Sequence, residues 1–183
     1  MHARPETPAT PPLPFGLHRL TAAMNALGTL WIVALMVLIV ADVLGRNFLS
    51  APVPGVPETV ALSIVGIVFL QLADTLRCGR FTRAEVLMAR LVRTNPPLHA
   101  ALSALWHALG AALLLVVLWA SWQPLVEAVQ IREYVGAVGS FQAPVWPVRL
   151  ITLIGLGVTT LTYLLLMAGD LQRLARLRRG RPA

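Results

Sequence analysis

Two pairs of oppositely charged residues stand at helical spacing beside long apolar stretches, and they are the first candidates for chemistry. Asp42 and Arg46 are four residues apart with the acid first, and Asp74 and Arg77 are three apart. Both spacings place the two side chains on one face of a helix, where they can form an ion pair. Within a membrane such a pair could act as a gate or an ion site. The spacing favours the simpler interpretation, an interfacial ion pair that ends a helix.

His99 and His107 are the histidines nearest to an apolar stretch, and paired histidines could ligate haem or another metal. Eight residues of helix separate them by about 12 Å along the axis, which is too far for one metal. The second apolar stretch contains no histidine that could supply an opposing ligand. We therefore predict interfacial or interhelical roles for both histidines, and no cofactor.

The remaining polar residues do not assemble into a known kind of catalytic centre. The eight acidic residues, four histidines and single Cys78 are too scattered for a disulfide framework or a cysteine-rich zinc site. The sequence shows no nucleophile beside a base, no paired carboxylates inside an apolar stretch and no phosphate-binding glycine loop. We therefore predict that the chain is not an enzyme.

The elements that must position these residues are membrane helices. The chain has 183 residues, of which 57% are apolar and 13% charged, against roughly 45–50% and 25% in soluble domains. Because about 20 apolar residues cross a hydrocarbon core of about 30 Å, the charge-poor stretches predict four spans. They cover about residues 22–45, 56–76, 97–122 and 147–169. The second is the shortest, and a buried helix of a soluble protein is the alternative there. The predicted fold is an all-α integral membrane protein with four transmembrane helices in residues 20–172.

Prolines mark the predicted helix boundaries. Pro57, Pro97 and Pro147 stand near the starts of the second, third and fourth apolar stretches, where a missing N–H costs little. Pro124 is predicted to end or kink the third helix. Residues 1–19 begin with a proline-rich segment that lacks periodicity, and they are predicted to be a disordered tail. The first apolar stretch is too long for a signal peptide and is predicted to be retained.

The arginines predict the orientation of the four spans. The chain has no lysine, and twelve of its fifteen arginines lie before the first span, between the second and third, or after the fourth. By the positive-inside rule both termini are cytoplasmic, including the basic tail 173–183. The net charge of +7 then reflects orientation and contact with anionic membrane lipids. No basic stripe with interleaved aromatic residues indicates nucleic-acid binding.

The segment between the second and third spans has an amphipathic pattern. Apolar side chains would share one helical face, away from most of the charged ones: Ala84, Leu87, Met88 and Leu91 against Arg83, Glu85 and Arg90. We predict a short interfacial helix over residues 82–93 on the cytoplasmic surface. An ordinary loop is the alternative.

Small and weakly polar residues form a stripe along the fourth span. Thr152, Gly155, Thr159 and Thr162 recur at spacings of three and four residues. Such residues let helix backbones approach closely in a bilayer. The stripe is predicted to be a packing face, against the chain's own helices in preference to another protein.

Four short stretches of the chain are similar to those of a known family. In chain order they are Gly45-Arg46-Asn47-Phe48 with Ala51-Pro52-Val53-Pro54-Gly55 and Glu58; Leu76-Arg77 through Gly79 with Arg83 and Glu85; Gly139-Ser140 with Pro144 and Trp146; and Gly155. Each stretch alone is a weak motif. Together, over about residues 20–170, their order and spacing resemble the small membrane subunit of TRAP transporters, the DctQ family.

The resemblance implies a three-part secondary transporter of a bacterial inner membrane. An extracytoplasmic substrate-binding protein would capture an organic acid such as a dicarboxylate, and a large multi-span permease subunit would move it inward, driven by sodium. This chain would be the scaffold for the large subunit. The structural or interface candidates are Asp42, Arg46, Glu58, Asp74, Arg77, Arg83, Glu85, Pro144, Trp146 and Gly155. The alternatives are a membrane anchor or haem subunit of a respiratory enzyme, and a small exporter that acts alone.

Overall fold

A computed structural model describes residues 14–78, 91, 94–136 and 141–179 of the chain. Four helices contain most of these residues: α1 (Phe15–Leu49), α2 (Val56–Arg77), α3 (Pro96–Gln130) and α4 (Trp146–Arg178). All four are long and apolar enough to cross a membrane, which confirms the predicted all-α fold with four helices able to span a membrane. The interfacial helix expected over residues 82–93 falls almost entirely outside the described residues. The cytoplasmic placement of the termini stays a prediction.

The prolines predicted to open helices do so. Pro57, Pro97 and Pro147 lie in the first turns of α2, α3 and α4, where no intrahelical partner needs their missing N–H. Pro124 lies inside α3, which continues to Gln130, so this proline does not end the helix. A membrane helix tolerates an internal proline when neighbouring groups satisfy the freed backbone.

The helices extend beyond the predicted spans. α1 begins at Phe15 rather than near residue 22, so the described part of the N-terminal segment is helical from that residue onward. α3 continues to Gln130 and α4 to Arg178, past the predicted span ends at 122 and 169. Helical hydrogen bonds form within the segment itself, so a helix can continue past the hydrocarbon into water.

The four helices stand in a row in the order α1, α2, α4, α3, and each packs mainly against its neighbours in that row. α2 and α4, the middle pair, are parallel, and each edge helix runs antiparallel to the middle helix beside it. The apolar stretches of α2 and α4 are each 39% buried, against 17% for α1 and 22% for α3. The described residues of the chain therefore leave most of the apolar stretch of each edge helix uncovered.

The two ends of the row contain different segments of the chain. The α1–α2 and α3–α4 connections lie at one end, which we call the loop end, and the first residues of α1 and last residues of α4 lie at the other, the tail end. At the loop end, strands β1 (Tyr134–Val135) and β2 (Ala143–Pro144) form a two-residue antiparallel ladder between α3 and α4. This ladder was not predicted from the sequence.

The α1–α2 connection is tight because two glycines stand where other residues would collide. The Ala51 N–H bonds the Gly45 carbonyl at 3.1 Å, and a Cβ on Gly45 would lie 2.7 Å from the Ala51 carbonyl oxygen. Gly55 has φ +81° and caps the start of α2, with the Phe141 ring where its Cβ would be. Glycine adopts this left-handed conformation without strain.

Candidate functional site

Asp42 holds the loop end of α1 to the connection that follows. Its Oδ2 accepts a hydrogen bond from Arg46 Nε at 3.0 Å, and its Oδ1 accepts one from the Val53 N–H at 2.9 Å. The Asp42 side chain is buried, whereas that of Arg46 is 55% exposed. The predicted helical ion pair is present, and the carboxylate also fixes the backbone of the loop.

A second ion pair at the loop end joins α4 to the segment that follows α3. Arg149 Nη2 lies 2.9 Å from Glu133 Oε2, and Arg149 Nη1 donates to the Pro124 carbonyl. The guanidinium therefore bridges the first turn of α4, the last turns of α3 and the start of the α3–α4 connection. Because Arg149 is satisfied by this chain's own groups, it is not a free cation for a ligand.

Asp74 and Arg77 form the corresponding pair at the tail end of α2. Arg77 donates to Asp74 Oδ1 from Nη2 at 2.6 Å and from Nε at 3.0 Å, and Cys78 Sγ lies 3.9 Å from Asp74 Oδ2. The Asp74 side chain is almost fully covered, and that of Arg77 is 19% exposed. The predicted pair is present, and it lies at the opposite end of the row from Asp42.

The most buried ion pair joins α3 to α4, so His107 has the interhelical role that was one of its two predicted roles, with a partner, Asp170, that was not predicted. His107 Nδ1 lies 2.7 Å from Asp170 Oδ2, and both side chains are buried. The Tyr163 ring stands edge-on to the His107 ring, with centroids 6.0 Å apart. Both residues lie a similar distance from the tail ends of their antiparallel helices. That matched depth is the signal in the sequence that could have indicated the pair.

The small-residue stripe of α4 packs inside the chain, as predicted. Thr159 and Thr162 are fully buried, and at Gly155 an added Cβ would collide with the Phe69 carbonyl of α2. The hydroxyls of Thr152, Thr159 and Thr162 bond carbonyls one turn earlier in their own helix. Because these hydroxyls bond within α4, they need no partner on another helix, and the stripe can pack closely against a neighbouring backbone.

Three other candidates lie at the loop end without converging on a single centre. Glu58 is half-buried in the first turn of α2, Pro144 belongs to β2, and Trp146 is the first residue of α4. Arg83 and Glu85 lie outside the described residues. The candidates thus divide between the two ends of the row, which is typical of structural anchoring rather than of one reaction centre.

An apolar groove of about 730 Å³ runs between α2 and α3 over the surface of α4. Its walls include Leu62, Val65, Val116 and Val148, with polar groups such as Glu58 and the Arg149–Glu133 pair among its lining residues. Within the described residues, no group of three or more His, Cys, Asp or Glu side chains is placed to hold a metal ion. The groove can therefore hold apolar material, and its lining supplies no free arginine for an anion.

Comparison with known proteins gives one assignment. Residues 35–173 match the family model for tripartite ATP-independent periplasmic transporters, DctQ component. No curated protein and no solved structure matched the chain. The matched region contains the second part of α1 from residue 35 onward, all of α2 and α3, and α4 as far as residue 173. The chain therefore belongs to the DctQ family and is the small membrane component of a TRAP transporter, a family of transporter components and not of enzymes.

Proposed function

We propose that this chain is a scaffold for the large permease subunit in sodium-driven uptake of an organic acid of the dicarboxylate type. Family membership supports the setting, in which a large permease and a substrate-binding protein are the partners. The chain itself would neither bind the substrate nor couple sodium. It would anchor the moving subunit in a bacterial inner membrane.

The observation that carries this proposal is the position of the arginines. In α1, α2 and α4 they occur near an end, α3 contains none, and the central parts of all four helices therefore lack arginine. A site for a dianion inside a membrane needs convergent cationic donors or broken helix ends at depth. Here the helices are continuous, and Arg46, Arg77 and Arg149 are occupied by carboxylates of this chain.

The packing of the row supports the same role. The middle pair forms a close contact at Gly155, whereas the edge helices keep long apolar faces uncovered. Such faces are available to lipid and to the large subunit. A closely packed middle pair with largely uncovered edge helices suits a frame against which another subunit moves.

We further propose that the loop end faces outside and the tail end faces the cytoplasm. Arginines are concentrated on the segments at the tail end, and this asymmetry orients membrane proteins. Single cysteines at residues 50 and 135, in a Cys78→Ala background, should react with a membrane-impermeant maleimide added outside intact cells. A cysteine added after Ala183 should react only after the membrane is opened. External labelling of the C-terminus would contradict this orientation.

The scaffold role is tested by separating binding from transport. Purified chain in detergent should give no heat with organic acids in calorimetry, whereas the complete system should take them up with sodium. Leaving the chain out of proteoliposomes that hold the large subunit should abolish uptake, even with the binding protein present. Full sodium-coupled uptake without this chain, or specific substrate binding to it alone, would show the scaffold role to be false.

A further inference from the structure

We propose that a patch at the loop end is a docking surface for an acidic segment of the soluble substrate-binding protein. The patch consists of Val129, Arg132, Tyr134, Pro144 and Trp146, which surround a depression of about 380 Å³. This inference rests on the proposed function, because it needs the loop end to face outside. It adds the location of the contact and the chemistry of the partner.

The side chains of this docking patch are of the kinds that dominate protein interfaces. Val129, Tyr134 and Trp146 are 55%, 51% and 44% exposed, and Arg132 is exposed beside them. Arginine, tyrosine and tryptophan are enriched among the residues that contribute most binding energy. The depression between them can accept an apolar side chain, while the guanidinium stays available at its edge.

The charge of Arg132, unpaired within the described residues, indicates a carboxylate on the partner. Of the three arginines at the loop end, Arg46 is paired with Asp42, and Arg149 is paired with Glu133. Arg132 makes no ion pair with any residue in the described part of the chain. It is therefore the loop-end arginine whose charge is left for a partner, and a carboxylate is the group that would complete it.

The backbone under the docking patch is held in one conformation. Arg132 has φ +49°, a left-handed conformation that is uncommon for a residue with a side chain. Hydrogen bonds hold the residues on both sides of Arg132: the Ile131 N–H bonds the Glu127 carbonyl at 2.9 Å, and the Glu133 N–H bonds the Ala128 carbonyl at 3.0 Å. A surface fixed before binding loses little conformational entropy when a partner docks.

The height of the docking patch favours a soluble protein over lipid. The predicted third span ends near residue 122, but α3 continues to Gln130, so its last turns extend about 12 Å beyond the hydrocarbon. Each headgroup layer is only about 5–8 Å thick. Arg132 lies two residues beyond Gln130, and the bond from the Val145 N–H to the Glu133 carbonyl places it level with the start of α4, at or above the headgroups, where a docked protein can reach it.

The experiment measures binding of the system's own substrate-binding protein to the assembled membrane complex in nanodiscs, by biolayer interferometry. Arg132→Glu should raise the Kd about tenfold and flatten its salt dependence. Arg132→Gly removes the charge yet fits the positive φ, so it should weaken binding without loss of stability. Arg132→Lys should retain most of the affinity. Arg176→Glu, an exposed arginine near the tail end of α4, is the matched control and should change nothing.

Several results would overturn the docking proposal while leaving the scaffold role intact. One is an unchanged Kd for both Arg132→Glu and Arg132→Gly in a complex that assembles and transports. Another is unchanged binding of the protein together with weaker flotation of Arg132→Glu on anionic vesicles, which would make the patch a lipid contact. Conversely, a charge reversal in the binding protein that restores affinity for Arg132→Glu would identify the acidic partner residue. Failure of the wild-type chain to assemble with the large subunit would instead remove the scaffold role.

Discussion

The middle pair of the row and its two edge helices are held in different ways. The backbones of α2 and α4 approach each other closely, and at Gly155 there is no room for even a methyl group. The edge helices are also fastened by polar contacts: Trp31 Nε1 of α1 donates to Ser63 Oγ of α2 at 3.2 Å, and His107 of α3 meets Asp170 of α4. Lipid tails are as apolar as leucine, so burial of apolar surface does not by itself specify helix pairs in a bilayer. Close approach and a few hydrogen bonds must do so.

The largest effect should come from filling the space in the middle pair. Gly155→Ala places a methyl group against the Phe69 carbonyl and should destabilise the chain by roughly 1–3 kcal/mol. Gly157→Ala is the matched control, because nothing lies within 4 Å of its added Cβ. Stability would be measured by SDS titration of the purified chain in mixed micelles. Equal losses for the two variants would mean that close contact does not distinguish the middle pair.

The next effect should appear where α3 joins α4. A double-mutant cycle of His107→Leu and Asp170→Leu should give a coupling of about 1–2 kcal/mol, because the two side chains meet at 2.7 Å across this contact and are shielded from water. The control cycle pairs His107→Leu with Asp74→Leu, whose carboxylate bonds Arg77 instead. Additivity in the His107–Asp170 cycle would contradict the role of this pair in holding the edge helix.

A smaller effect is expected at the loop end of α1. Asp42→Ala loses hydrogen bonds to Arg46 and to the Val53 backbone and should cost about 1 kcal/mol. Arg46→Ala should cost less, because its side chain is half exposed. Both should lower the yield of assembled complex and leave its sodium dependence unchanged in uptake assays. An intact complex with altered sodium dependence would show that this pair acts in ion coupling.

The smallest effect should come from the contact between α1 and α2. Trp31→Phe keeps the aromatic ring but removes the donor to Ser63, and should cost about 0.6 kcal/mol. Trp119→Phe is the control, because the Trp119 side chain is 81% exposed. The two variants would be compared in the same SDS titration, with repeats sufficient to resolve this difference. If Trp119→Phe lowered the stability by the same amount, the loss in Trp31→Phe would reflect removal of the indole ring rather than of the hydrogen bond.

The sequence predicts what depends on near neighbours along the chain. The four helices follow from apolar length, their starts follow from Pro57, Pro97 and Pro147, and the Asp42–Arg46 pair follows from helical spacing. The stripe at Gly155 predicts close packing because small residues let helix backbones approach closely in a bilayer.

Contacts between distant residues could not be predicted in the same way. His107 and Asp170 are 63 positions apart, and Trp31 and Ser63 are 32 apart. The sequence does not show which helices are neighbours. The lengths of the apolar stretches predict that the helices exist and the distribution of arginines predicts their orientation, but neither predicts their order in the row. The left-handed backbone of Arg132 likewise depends on the β1–β2 ladder, whose two-residue strands are too short to leave a pattern.

The order of contacts in the row has a mechanical consequence. The helices are joined in series, α1 to α2, α2 to α4 and α4 to α3. A force applied to one edge helix therefore reaches the other mainly through the middle pair. The stiffness of the row as a whole is then set by its weakest helix contact, as in any set of elements joined in series.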